Sequence, residues 1–192
     1  MQYFHEIGDA RLYVSAMIEY ILEEVELPDP LLHCILEHKE EIYPIFLGIL
    51  YANNLEEKDV TPEQLLEIQG HIVSLLEQMQ MPHPYEQYLN ILRDLQEDSL
   101  FAEEATAALA EAGEQVREQV FEAYAVAQGY AKKCLLDLIS YYSGDTRALE
   151  ILLEEFAAPE ADLAFLAECL GRLGDEGALD SLRAAIADDG IE

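Results

Sequence analysis

Residues 144–149 and 174–179 share one pattern. Gly144-Asp145-Thr146-Arg147-Ala148-Leu149 and Gly174-Asp175-Glu176-Gly177-Ala178-Leu179 both read G-D-x-x-A-L, 30 residues apart. Apolar residues flank them in the same register. Ile139 and Cys169 stand five places before the glycines, and Leu152 and Leu182 stand eight places after. Gly113 lies 31 residues further upstream, with Ala108 and Phe121 at those two positions. Self-similarity at this period is the mark of stacked helical hairpins, each too small to bury its own apolar face. It constrains the fold more than any other feature and points to a binding surface, not a single central active site.

Helix signals run along the chain. Val14, Met17, Ile18, Ile21, Leu22 and Val25 form one apolar stripe at helical spacing. Asp29-Pro30 restarts the chain as a cap followed by proline at the first helical position. Pro44 fits only in a first turn, which places that helix start near Glu40 or Glu41. Residues 53–60 form a polar connection, closed by a capping box in Thr61-Pro62-Glu63-Gln64. A long helix then extends to about Met79, and Met81-Pro82-His83-Pro84 breaks it. Further on, Asp145 and Asp175 act as N-caps directly after their glycines.

No stretch alternates with strand period, so eleven helices and no sheet are expected. Breaks near Lys39, Pro82, Gly113, Gly144 and Gly174 set the hairpins. The expected fold is all-α, a right-handed α-α superhelix of about five hairpins forming one domain over residues 1–192. A capping helix at 9–25 precedes hairpins at 28–53, 61–96, 99–127, 130–157 and 159–188.

Charge narrows the partners. The chain has 40 acidic and 10 basic residues, a net of −30. The portions before and after position 96 carry −14 and −16, so the acidity belongs to the body and not to a tail. With 51% of residues hydrophobic, disorder is not expected. Such a body repels nucleic acid and anionic membranes and attracts basic proteins. Cys34, Cys134 and Cys169 have no CxxC spacing and sit in apolar helical contexts, as buried thiols of a reducing compartment would. No signal-like N-terminus and no membrane-length apolar run is present, which gives a cytoplasmic expectation.

The segment Leu166-Ala167-Glu168-Cys169-Leu170-Gly171-Arg172-Leu173-Gly174-Asp175, continued by Ala178-Leu179, resembles the short HEAT-like repeat first associated with bilin lyases. The resemblance is best over residues 163–188, extends over 135–156 and weakens over 105–124. The first two hairpins lack the glycine-aspartate turn. The segment from Ile35 to Pro44 is similar to an uncharacterised bacterial helical family that names no function. The resemblance implies a HEAT-like solenoid that binds other proteins along the second helix of each hairpin. The non-core positions of those helices are Tyr43, Leu47, Tyr51, Gln87, Asn90, Asp94, Glu118, Glu122, Glu150, Glu154 and Asp180. They give an aromatic end and an acidic end, for which a basic or amphipathic segment is the complement. The alternative is that the tyrosines pack against the loop at residues 54–59 and the acids are merely solvated.

Chemistry is not signalled. HEAT-like hydroxylases hold iron with repeated His-Glu pairs, whereas the one such pair here, His5-Glu6, precedes the repeats. His33 with Glu37, and Cys34 with His38, are i,i+4 pairs that project in different directions, without a third ligand. No GxSxG, Walker-type, GxGxxG or HExxH motif occurs. No catalytic, cofactor or metal residues are therefore assigned.

Ten basic residues cannot form the basic concave face that DNA-gripping arrays need. The opposite idea, a nucleic-acid mimic, has some arithmetic behind it. Five hairpins at roughly 10 Å span about 50 Å, where duplex at one charge per 1.7 Å would carry about 30 charges. The expected function is a non-enzymatic scaffold or adaptor for a basic protein or peptide, with no direct nucleic-acid or membrane binding. The alternatives are an acidic mimic that inhibits a nucleic-acid-binding protein, and an enzyme or lyase-like accessory factor. The partner's identity and the oligomeric state are not written in the sequence.

Overall fold

The structure, a computed structural model, describes residues 10–52 and 60–188. His5-Glu6 and the loop at 54–59 lie outside the described residues. Among those described, eleven α-helices occur and no strand. The chain divides into two compact units, residues 1–91 with 97–108, and residues 92–96 with 109–192.

The first unit contains α1 (Ala10–Leu22), α2 (Asp29–Glu37), α3 (Lys39–Leu50), α4 (Pro62–Met79), most of α5 (Tyr85–Asp94) and most of α6 (Leu100–Ala112). Of the expected stripe, Val14, Met17, Ile18 and Ile21 are buried on α1, which packs against α2, α3 and α4, whereas Leu22 is half-buried and Val25 is exposed beyond the helix end. Met17, Leu31, Ile35, Ile42, Phe46, Ile68, Ile72 and Leu76 meet as a fully buried core. Free carbonyls at helix ends find side chains. Gln69, itself buried, donates to Ile49 O at 3.1 Å, Gln87 donates to Leu50 O at 2.9 Å, and Lys39 Nζ donates to Met79 O at 3.0 Å. These bonds satisfy the last turns of α3 and α4, which a helix leaves unpaired.

Local cap signals hold with two differences. The capping box at Thr61 forms in both directions, with Gln64 N–H donating to Thr61 Oγ1 and Thr61 N–H to Gln64 Oε1. Helix α2 instead takes Pro28 as its cap, and Asp29 is already helical. The N–H groups of Leu31 and Leu32 both reach the Pro28 carbonyl, so that carbonyl, and not the Asp29 carboxylate, closes the first turn. Helix α3 begins at Lys39, because Glu41 and Ile42 donate to the His38 carbonyl. Pro44 therefore falls just past the first turn, where it has no N–H to offer the Glu40 carbonyl.

The second unit contains α7 (Arg117–Tyr124), α8 (Gly129–Ile139), α9 (Thr146–Phe156), α10 (Leu163–Leu173) and α11 (Leu179–Asp188). Both hexapeptides make the same turn. Gly144 and Gly174 have φ of 80° and 71°, left-handed values that a side chain resists. Asp145 then accepts from Arg147 N–H at 2.8 Å, and Asp175 from Gly177 N–H at 2.8 Å. Ala148 and Ala178 are both buried. The copies differ in one respect, since a 3-10 turn at Glu176–Ala178 precedes α11.

Contacts join residues about 30 positions apart. Ser143 Oγ donates to Leu173 O at 2.9 Å, 30 residues on. Arg147 on α9 holds Glu118 on α7 with two bonds of 3.0 and 2.6 Å. Tyr124 on α7 donates to Glu155 on α9 at 2.7 Å, and Lys133 on α8 reaches Asp162, the cap of α10, at 3.0 Å. Arg172 on α10 bonds Asp137 and Ser140 of α8 and its vicinity. The most extensive backbone contacts of the second unit join α7 to α8 and α9 to α10, across the connections between the expected hairpins. The three cysteines are buried and form no disulfide, and no helix among the described residues is long and apolar enough to cross a membrane.

Candidate functional site

A groove of the first unit lies between α1 and α4, and it begins with how α1 ends. Glu24 takes a left-handed φ of 54°. Its N–H donates to Ile21 O, and Val25 N–H donates to Tyr20 O, both at 3.0 Å. This paired closure turns the chain sharply out of the helix. The following segment runs beside α4 and leaves Val25 about half exposed, at 51%.

A cleft of about 580 Å³ results, with Ile21, Leu22 and Val25 as its apolar surface and Glu24, Glu26, Glu63, Gln64, Glu67 and His71 around them. A second cleft of about 280 Å³ shares Ile21, Val25, Glu26 and His71 and adds Leu27, Leu32, Ser74, Leu75 and Gln78. The α4 residues involved, from Glu63 to Gln78, recur every three or four positions, so a single helix face lines the whole groove. At 1.5 Å per residue that face is about 22 Å long.

Its electrostatics are one-sided. Four glutamates and no lysine or arginine line the larger cleft. The Glu63 carboxyl is held below the usual range by its backbone N–H at the helix start and by Thr61, so it stays charged. Glu67 lies 3.8 Å from His71. Glu104 of α6 approaches the same stretch of α4. Burial, then the charge of Glu103, raises its pKa, against the opposing effects of His71 and a hydrogen bond from Ser74.

The second-helix residues singled out in the sequence are placed differently. Tyr43 donates to Pro82 O at 3.0 Å and Gln87 is tied to Leu50 O, so both serve the junction of α3 and α5. Leu47 is half-buried, while Tyr51 and Asn90 are exposed. Beside them His83 Nδ1 meets the buried Tyr88 hydroxyl at 3.0 Å, and its Nε2 lies 3.3 Å from Glu77. Burial, then the charges of Tyr85, Tyr43 and Glu77, pushes the Tyr88 pKa far up, so its hydroxyl stays protonated.

At the acidic end Glu118 is occupied by Arg147, whose hydrogen bonds hold its pKa below the ordinary value. Glu122, Glu150 and Glu154 are exposed. Asp94 and Asp180 lie 3.8 and 3.7 Å from Arg93 and Arg183. Tyr142 is buried against Phe121, and burial pushes its pKa up to about 12. Tyr141 is exposed beneath Arg172.

His33 and Glu37 pair on the surface at 3.1 Å, whereas Cys34 is buried. Among the described residues no three His, Cys, Asp or Glu side chains come together in a metal-binding group. The groove was missed in the sequence, although it left a trace there. Val25 continues the apolar stripe of α1 into an acidic segment, Glu23-Glu24-Val25-Glu26, where an apolar side chain has nothing local to cover it. No family model, no curated protein and no solved structure matches the chain.

Proposed function

We propose that the protein is a non-enzymatic binding scaffold that takes a basic amphipathic segment of a partner protein into the groove between α1 and α4. The carrying observation is an apolar floor of Ile21, Leu22 and Val25 inside a rim of Glu24, Glu26, Glu63 and Glu67, with no lysine or arginine among the described residues that line it. Apolar burial supplies affinity, and the unopposed carboxylates select and steer cationic partners. The second helices are the weaker candidate, because Tyr43, Gln87 and Glu118 already hold partners within the protein.

The scaffold itself fits a HEAT-like array wound as a right-handed superhelix. Bonds between residues 29 to 31 apart support this reading, as does the duplicated turn at Gly144 and Gly174. In stacked repeats such pairs are neighbours by construction.

The test uses a fluorescent 15-residue amphipathic helix with a leucine face and a lysine face, titrated with the full-length protein. Saturable binding that weakens with added salt and falls about tenfold in Glu63→Lys/Glu67→Lys is expected. Equal binding by wild type and this variant would remove the groove from consideration. A loss confined to Glu122→Lys/Glu150→Lys would return the site to the second helices.

A further inference from the structure

The groove is not uniform along its length, and this deepens the function proposed above, on which it rests. Glu24, Glu63 and Glu67 line only the larger cleft, at the end of α4 nearest its start. The smaller cleft, further along α4, keeps Glu26 alone and presents Leu27, Leu32 and Leu75 with the neutral Ser74 and Gln78. Glu104 lines neither cleft, although Ser74 of the smaller one hydrogen-bonds its carboxyl. One end of the groove is therefore strongly acidic, and the other is mostly apolar with Glu26 as its one lining carboxylate.

The occupant should be helical. An extended segment pressed on an apolar floor must find partners for its backbone N–H and C=O groups, and the helical walls have none to offer, which leaves only the short stretch from Glu24 to Leu27. A helix satisfies its own backbone and buries one stripe, the usual mode for grooves of this kind. Over about 22 Å it would need about 15 residues.

We infer that the groove selects a helix whose lysines or arginines are gathered at one end and whose other end is apolar and uncharged, and that it discriminates against the same residues evenly mixed. A cation placed over Leu27, Leu32 and Leu75 would be desolvated with only Glu26 to meet it, whereas one placed beside Glu63 and Glu67 is opposed by several carboxylates. Charge segregation then acts as a register mark that apolar burial alone cannot provide.

Three 15-residue peptides of one composition decide it: lysines blocked at the N-terminal end, lysines blocked at the C-terminal end, and lysines spread evenly, all with the same leucine stripe. Isothermal titration should show one block peptide about fivefold tighter than the even one, as two further exposed ion pairs would give. Glu63→Gln/Glu67→Gln should abolish that preference. Gln78→Glu, an exposed change at the mostly apolar end, should raise the affinity of the even peptide. Circular dichroism would check that both variants keep their helix content. Equal binding of all three peptides overturns the inference and leaves the groove reading standing. Failure of all three to bind overturns both.

Discussion

Two glycines in helix interiors give opposite expectations for the same substitution, and the difference can be worked from the packing. Gly70 is buried in α4, against the start of α6. A Cβ there would lie 2.8 Å from Leu100 C, Leu100 Cγ and Phe101 N. Two of these atoms are backbone, and Phe101, fully buried against Tyr88, resists displacement. Gly48 sits exposed in α3 with nothing within 4 Å of its Cβ position.

Alanine gains about 1 kcal/mol over glycine in a helix interior, in both cases. At Gly48 nothing opposes that gain, so Gly48→Ala should stabilise by about 0.5–1 kcal/mol, less than the full value because it lies in the last turn of α3. At Gly70 three contacts at 2.8 Å, two of them to backbone, put the overpacking cost at the upper end of the usual range, about 2–3 kcal/mol, so Gly70→Ala should be destabilising by about 1–2 kcal/mol net. Urea melts followed by far-UV circular dichroism measure both. Truncating the side-chain obstacle in Gly70→Ala/Leu100→Ala should not restore stability, because the backbone contacts remain. A Gly70→Ala variant as stable as wild type would show that α4 and α6 are not in contact at this point.

Asp145→Ala and Asp175→Ala should each lower stability by about 1 kcal/mol in the same assay, the usual value of an N-cap, and no loss at either would mean that these carboxylates do not cap their turns. Glu104→Gln should raise stability at pH 7.5 by an amount that shrinks as pH falls. Burial raises the folded carboxyl above its unfolded value, so the folded state holds the proton more tightly, and the stability it contributes in acid is lost as pH rises through the folded pKa. Chemical denaturation of both proteins from pH 4 to 7.5 checks this, and a gap that widens toward acid would reverse the sign of the argument.

What was legible in the sequence was local. A capping box needs only Thr61 and Gln64, and a glycine-aspartate turn needs only adjacent residues, so α4, α9 and the turn at Gly174 stand where the pattern put them. The start of α2 was less legible. Asp29-Pro30 reads as a cap and a first residue, yet Pro28 before it has the extended backbone a cap needs, with ψ of 138°. The partners of the acidic residues were partly legible. Once a period near 30 is granted, Glu118 and Arg147 become neighbours, as do Tyr124 and Glu155. The groove was not legible, because its width depends on how closely α1 approaches α4, and no spacing within either helix encodes that distance.

The placement of the few cations explains why the groove stays acidic. In the second unit Arg117, Lys132, Lys133, Arg147, Arg172 and Arg183 each have a carboxylate within 4 Å. Four of them also lie over aromatic rings, Lys132 on Tyr124, Lys133 on Phe165, Arg147 on Phe121 and Arg172 on Tyr141. Such stacked cations are positioned by their apolar stems as much as by charge, and Lys133, Arg147 and Arg172 join one helix to the next but one or its end. With only 10 basic residues in the chain, cations committed to these junctions cannot also neutralise an exposed rim. The carboxylates of Glu24, Glu26, Glu63 and Glu67 consequently face solvent without a lysine or arginine among the groove residues. On the function proposed above, a cationic segment entering the groove relieves the repulsion among these carboxylates, and the scarcity of cations favours that bound state.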